Sequence, residues 1–246
     1  MMTLEHASAS HVGRRDNNED ALCAAPELGL FAVADGMGGY AGGEVASAIV
    51  VDTLSRFFAR VAGDAETTWP YQPERGLCHC AGMVSVAVHH AHEEVRAKKT
   101  GFLADMGSTV AALVVREGHA VIAHVGDSRV YRLRAGALAQ LTRDHSLAEE
   151  MRAAGGQVGD DFPYRNVITR AVGMREGHRA DVVTSSLEPG DVFLLCTDGL
   201  TESLDETDIA AALGHAPALA APALVRAAYD AGGRDNITAV VVRVRA

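Results

Sequence analysis

The sequence predicts a layered α+β fold, in which strands group with strands and helices with helices instead of alternating one by one. Three observations carry this expectation. Four short β-like segments follow one another between residues 108 and 142, parted by turn residues. Two long segments before them place apolar residues at three- and four-residue steps. Two helix-like segments and a closing alternating strand come after them. With 246 residues, 48% hydrophobic and 22% charged, the chain has an ordinary globular composition and can form one domain spanning residues 1–246.

Taken in order, residues 29–35 (GLFAVAD) form a short apolar run ending in Asp-Gly, the signature of a buried strand entering a turn. Residues 43–61 then switch to helical spacing, with Val50, Leu54, Phe57, Phe58 and Val61 on one face. Residues 63–80 hold Trp69, Pro70 and Pro73 without a steady period and read as a loop. Residues 77–98 return to helical spacing through Met83, Val84, Ala87, Val88, Ala91 and Val95. Segments 108–115, 119–125, 129–134 and 137–142 are separated by Glu117-Gly118, Gly126-Asp127 and Ala135-Gly136, which suggests an antiparallel meander. Residues 146–154 suit a short helix stopped by Gly155-Gly156. The polar stretch 157–165, within the wider region 146–170, is a candidate flap. Strands are expected at 181–185 and 191–196, helices at 201–213 and 218–231, and a last strand at 236–244.

Composition excludes some functions. Acidic residues number 32 against 22 basic ones, a formal net charge of −10, which argues against binding a nucleic-acid backbone. It does not exclude a phosphate-bearing substrate, because a bound metal can reverse the local charge. The longest uncharged stretch, residues 209–225, is interrupted by Gly214, His215, Pro217 and Pro222 and is shorter than the roughly 20 apolar residues a membrane span needs. The first ten residues lack the basic-then-apolar pattern of a secretory leader. Cys23, Cys78, Cys80 and Cys196 form no spaced framework, so a reducing cytoplasm is the simplest compartment.

Four aspartates end apolar runs beside Gly or Asn: Asp35 in ADGMGG, Asp127 in GDSR, Asp198 in TDGL and Asp235 in GGRDNIT. Asp-Gly is also a common turn dipeptide, and any one of these alone reads as a turn. Four together point to oxygen ligands delivered to a sheet edge, where clustered carboxylates need a hard cation such as Mg²⁺ or Mn²⁺. The segment Arg14-Arg15-Asp16-Asn17-Asn18-Glu19-Asp20 is either a solvated polar turn or an arginine fork for phosphate beside carboxylates.

The ordered set RRDNNED, ADGMGGYAGGEVAS, MGSTV, HVGDSRVYR, DHS, LLCTDGL and GGRDNIT resembles the metal-dependent protein phosphatases of type 2C, in particular the compact bacterial Ser/Thr phosphatases. The resemblance covers residues 11–244. It implies a four-layer α-β-β-α sandwich: two antiparallel sheets face to face, helices outside, and metals at one end. It implies hydrolysis of phosphoserine and phosphothreonine by a metal-activated water. By the same resemblance Asp35 bridges two Mn²⁺ or Mg²⁺ ions, the Gly36 carbonyl binds the second, and Asp198 and Asp235 complete the first. Asp20, with Glu19, matches the acidic pair near the second ion, Arg15 the residue that grips phosphate, and Asn236 the neighbour of the last ligand. Asp105, two residues before Gly107, is the candidate for a third metal, while Asp127 is expected to play a structural or supporting role. Implied partners are phosphorylated proteins and a cognate Ser/Thr kinase, with the chain a cytoplasmic monomer that needs neither nucleic acid nor membrane.

Some features stand apart. Met37 follows Asp35-Gly36 where some eukaryotic relatives carry His, and Tyr40 sits in the glycine loop. Cys78-His79-Cys80 lacks a second ligand pair for zinc and reads as free thiols at a loop or helix start. His89, His90 and His92 read as a surface cluster. A silent phosphoprotein-binding module on the same fold is the alternative function, and the retained Asp35, Asp198, Asp235 and Arg15 argue against it.

Overall fold

The computed structural model describes residues 2–39, 42–64, 68–73, 76–159, 162–175 and 179–246. Eleven strands and six helices lie along these residues. They are β1 (Thr3–His11), β2 (Asp20–Ala25), β3 (Leu30–Met37), α1 (Gly42–Gly63), α2 (His79–Lys98), β4 (Gly107–Ser108), β5 (Val110–Arg116), β6 (His119–Val125), β7 (Arg129–Arg134), β8 (Ala137–Gln140), α3 (Leu147–Ala153), β9 (Asp181–Ser186), β10 (Val192–Cys196), α4 (Asp198–Thr201), α5 (Glu206–Leu213), α6 (Pro217–Asp230) and β11 (Ile237–Arg245). All strand pairings are antiparallel. One sheet runs β1-β11-β10-β7-β8, the other β2-β3-β5-β6-β9, with β4 paired to β3.

The alternation of side chains explains the four layers. Along β3, Leu30, Ala32 and Ala34 pack with α1 and α2, whereas Phe31 and Val33 point between the sheets. Along β10, Val192, Leu194 and Cys196 meet α4–α6 while Phe193 and Leu195 enter the same inter-sheet core. β11 divides likewise, with Ala239 and Val241 outward and Val240, Val242 and Val244 inward. Both faces of these strands are buried, so they appear in sequence as continuous apolar runs. The expected α-β-β-α sandwich is observed.

Three boundaries differ from the sequence reading. No strand was expected at the N-terminus, yet β1 pairs with β11 along nine residues. Its sequence TLEHASASH is short of large apolar side chains because much of it stays half-exposed. The segment 108–115 is broken at Thr109, which leaves the ladder to bond Asp35. The segment 201–213 is broken as well, because Asp205 caps α5 by accepting from the N–H groups of Thr207 and Asp208 at 2.8 and 2.9 Å. The expected surface cluster on α2 is corrected: His92 is fully buried, its Nδ1 accepting from the Gly173 N–H at 3.0 Å, and His89 and His90 pack against Tyr71. The reason is that α2 has an interior face wide enough to take in His92. Cys78 sits at the N-cap of α2 with a free thiol. Among the described residues, no helix is long and apolar enough to cross a membrane.

Candidate active site

The strand ends converge at one end of the sandwich. Asp20 opens β2 and lies opposite Asp35 in the β2–β3 register. Asp198 opens α4 directly after β10, and Asp235 precedes β11. A cavity of about 500 Å³ is lined there by Arg15, Glu19, Asp35, Gly36, Asp198 and Asp235, joined by Met37, Thr109, Asp127, Asn166 and Asn236.

Each carboxylate is placed by backbone and hydroxyl bonds. The Asp35 N–H donates to Thr109 Oγ1 at 2.9 Å, and the Asp35 carbonyl accepts from Thr109 N–H and Ser108 Oγ at 2.8 and 3.0 Å. Thr109 and Ser128 hydroxyls meet at 2.7 Å beneath it. Thr197 Oγ1 donates to Asp20 Oδ2 at 2.9 Å and accepts the Thr238 N–H at 3.0 Å. Asn236 ties three segments together: Oδ1 accepts the Glu19 N–H at 2.8 Å, and Nδ2 donates to the carbonyls of Val12 and Asn17. Arg15 Nη2 lies 2.6 Å from Asp235 Oδ2.

Glycine is required where these segments touch. A Cβ on Gly36 would sit 2.0 Å from the Gly43 carbonyl and 2.7 Å from that of Glu19. Gly36→Ala is therefore expected to cost at least about 1–3 kcal/mol and to lower activity with it, since the Asp35 strand must shift. Gly39→Ala is the steric control, because nothing among the described residues lies within 4 Å of a Cβ there. Thermal melts and turnover of the two variants check this; equal behaviour would remove the steric argument.

The electrostatics point to missing positive charge. Burial, then the charges of Asp198, Asp20, Asp127 and Asp235, push the Asp35 carboxyl well above the usual range. Burial raises Asp20 to about 7, against bonds from Thr238 and Thr197 and with Asp198 and Asp235 adding repulsion. Burial, then Glu202 and Asp235, raises Asp198 to about 6. Two buried carboxylate oxygens, Asp20 Oδ1 and Asp198 Oδ1, have no hydrogen-bond partner among the described residues. An all-oxygen donor set with orphaned lone pairs and mutual repulsion fits hard divalent cations.

Asp127, expected in a structural or supporting role, stands inside the site. It faces the cavity, and burial followed by Asp198 and Asp144 raises it to about 8. Asp105 is exposed and lines no part of the cavity. The GDSR turn carries Asp127 past the end of β6 into the site, a direction that spacing alone does not encode. Asn166 and Ile168, in the expected flap region, also line the cavity and had no sequence signal beyond that region. Tyr40, Asp160 and Asp161 lie outside the described residues. A separate group, His124, His145 and Asp181, brings ligand atoms within 4.8 Å of one another. There the Arg170 guanidinium already stands 2.7 Å from His145 Nε2 and 2.9 Å from Asp181 Oδ1. This cluster ties residues 145, 170 and 181 together, and the Thr169 N–H donates to the His145 carbonyl at 2.8 Å.

A sandwich that ends in a cavity gathering several carboxylates beside an arginine is the arrangement of a metal-dependent phosphoester hydrolase. Residues 7–227 match the family model described as protein phosphatase 2C, and the chain belongs to that family. Protein phosphatase PhpP of Streptococcus pneumoniae is 31% identical over 87% of this chain and 85% of its own length. The structure described as PppA, a key regulatory component of T6SS in Pseudomonas aeruginosa, is 36% identical, superposes with a TM-score of 0.79 and covers 98% of both chains. The catalytic domain of the serine/threonine protein phosphatase PstP, solved with two manganese ions, is 30% identical with a TM-score of 0.84 over the full length of both chains. The chain is a protein phosphatase of a metal-dependent family.

Proposed function

We propose that the chain removes phosphate from phosphoserine and phosphothreonine in proteins, with Asp35, Asp198 and Asp235 as its principal metal ligands. The observation that carries this reading is the convergence of buried, mutually repelling carboxylates, two with orphaned oxygens, around the cavity that Arg15 enters. Asp35 would be shared by the ions, the Gly36 carbonyl and Asp20 would add further oxygen ligands, and Glu19 would hold metal-bound water. Divalent ions held there supply water activation and charge to offset the phosphoryl oxygens. Arg15 orients the phosphate through its guanidinium, which Asp235 keeps at the cavity mouth. Thr109 and Asn236 hold Asp35 and the loop of Glu19 in register, so the ligands are preorganised before substrate arrives. For a third ion, Asp127 with Asp198 is the better-placed pair than Asp105. Mn²⁺ and Mg²⁺ both suit the donors.

The physiological setting follows from the chemistry. We place the chain opposite a bacterial Ser/Thr kinase, acting as a monomer in the cytoplasm, where its four free thiols stay reduced. Hydrolysis of p-nitrophenyl phosphate and of a phosphothreonine peptide is expected with Mn²⁺, and its loss is expected in EDTA. Undiminished turnover in EDTA would contradict the metal assignment. Tight phosphopeptide binding without turnover under saturating Mn²⁺ would favour a silent binding module.

A further inference from the structure

The cavity opens beside a ledge made by two loops, residues 12–19 before β2 and residues 231–236 before β11. Their backbones are stitched together. The Arg14 N–H donates to the Gly233 carbonyl at 2.7 Å, Arg14 Nε to the Gly232 carbonyl at 2.7 Å, and Arg15 Nε to the Arg234 carbonyl at 3.3 Å. Gly13 lies so close to the second loop that a Cβ would stand 1.9 Å from the Asp235 carbonyl. The ledge is thus fixed to the loop that carries Asp235.

Three arginines stand on this ledge in a chain of net charge −10. Arg15 enters the cavity. Arg14 and Arg234 are exposed and line no part of it. Neither makes an ion pair among the described residues. Arg14 is held by its Nε bond and by the ring of Tyr229, 5.6 Å from Cζ, which leaves its Nη donors for another partner. The nearby acids do not cancel this charge: Asp230 is taken by Arg226 at 2.8 Å, and Asp16 is a single exposed carboxylate. Past Arg14, the Tyr229 ring, His11, Pro222 and Val225 line an apolar groove of about 380 Å³.

We propose that Arg14 and Arg234 recognise acidic side chains flanking the phosphorylated residue, so that the chain prefers acidic phosphopeptides. This rests on the phosphatase reading and deepens it. Guanidinium groups match carboxylates in a forked geometry, and preorganised ones lose less entropy on binding. A polypeptide whose phosphate is held by Arg15 would continue onto the ledge, where Arg14 adjoins Arg15 in sequence and the Arg234 carbonyl accepts from Arg15 Nε. The contacts are exposed, so they weaken with salt.

The test compares kcat/KM for a phosphothreonine peptide with Asp and Glu flanks, the same peptide with Asn and Gln flanks, and p-nitrophenyl phosphate. At low salt the acidic peptide is expected to be the better substrate. Arg234→Ala should lose about two- to fivefold on it, through KM, with p-nitrophenyl phosphate unchanged, and Arg14→Ala, which also removes a bond between the two loops, should lose more on the acidic peptide than on p-nitrophenyl phosphate. Arg234→Glu should shift preference toward the neutral peptide without requiring loss of the loop. Equal rates on both peptides in the wild type, or equal losses on all three substrates in the variants, would overturn the proposal. Failure to hydrolyse p-nitrophenyl phosphate at all would instead defeat the phosphatase reading, and the proposal with it.

Discussion

Asp35→Asn is expected to lower kcat/KM on a phosphothreonine peptide by at least about a thousandfold, equivalent to ~4 kcal/mol of transition-state stabilisation. Asn keeps the shape but removes the charge that Asp35 would offer to a cation. Its backbone contacts to Thr109 and Ser108 are unchanged, so the fold should persist. The metal-free variant should even be no less stable than the wild type, because Asp35 is the carboxylate that Asp198, Asp20, Asp127 and Asp235 all repel. Loss of activity with retained stability separates a ligand from a structural residue. A variant that loses both would assign Asp35 to the fold instead.

The second large effect is a reversed pH dependence in the metal-free chain. Burial and mutual repulsion raise Asp20 to about 7 and Asp127 to about 8, both from 3.8. The folded chain therefore holds protons that the unfolded chain has already released. Stability from these groups is intact near pH 4 and falls as pH rises toward 8. His145, lowered to about 4 by burial, then by His124 and Arg170, acts in the opposite sense below about pH 6.5. The clear window is thus pH 6.5–8, where the metal-free protein should lose on the order of 2 kcal/mol, or about 5 °C in Tm. Mn²⁺ should flatten that slope, since the bound cation favours ionised carboxylates. A Tm in EDTA that rises across this window would contradict the picture of uncompensated acids.

The sequence was most readable where chemistry and chain geometry coincide. A strand that buries both faces and ends in Asp-Gly announces itself, and Asp35 and Asp198 were found that way. Asp235 was found in the glycine turn before β11. It was least readable where tertiary contacts decide. β1 is polar because it stays half-exposed, so only its pairing with β11 reveals it. Thr109 interrupts a β-rich segment because its hydroxyl and N–H are both spent on Asp35. Asp127 looks like any turn aspartate until the fold carries it beside Asp198. Asp105 shares the residue type but is exposed and lies outside the cavity lining. His92 was hidden because a histidine on a helix reads as polar, whereas here the Gly173 N–H satisfies its Nδ1 inside the core. The acidic balance of the whole chain, which argued against nucleic acid, includes the buried carboxylates gathered at the cavity, proposed above as a cation site.

The most direct test of that cation site is a calorimetric titration of the metal-stripped chain with Mn²⁺, run in parallel on wild type and Asp35→Asn. Two bound ions per wild-type chain, with binding lost or severely weakened in the variant, is the expected result. Equal stoichiometry and affinity in the two proteins would show that Asp35 holds no metal and would contradict the account.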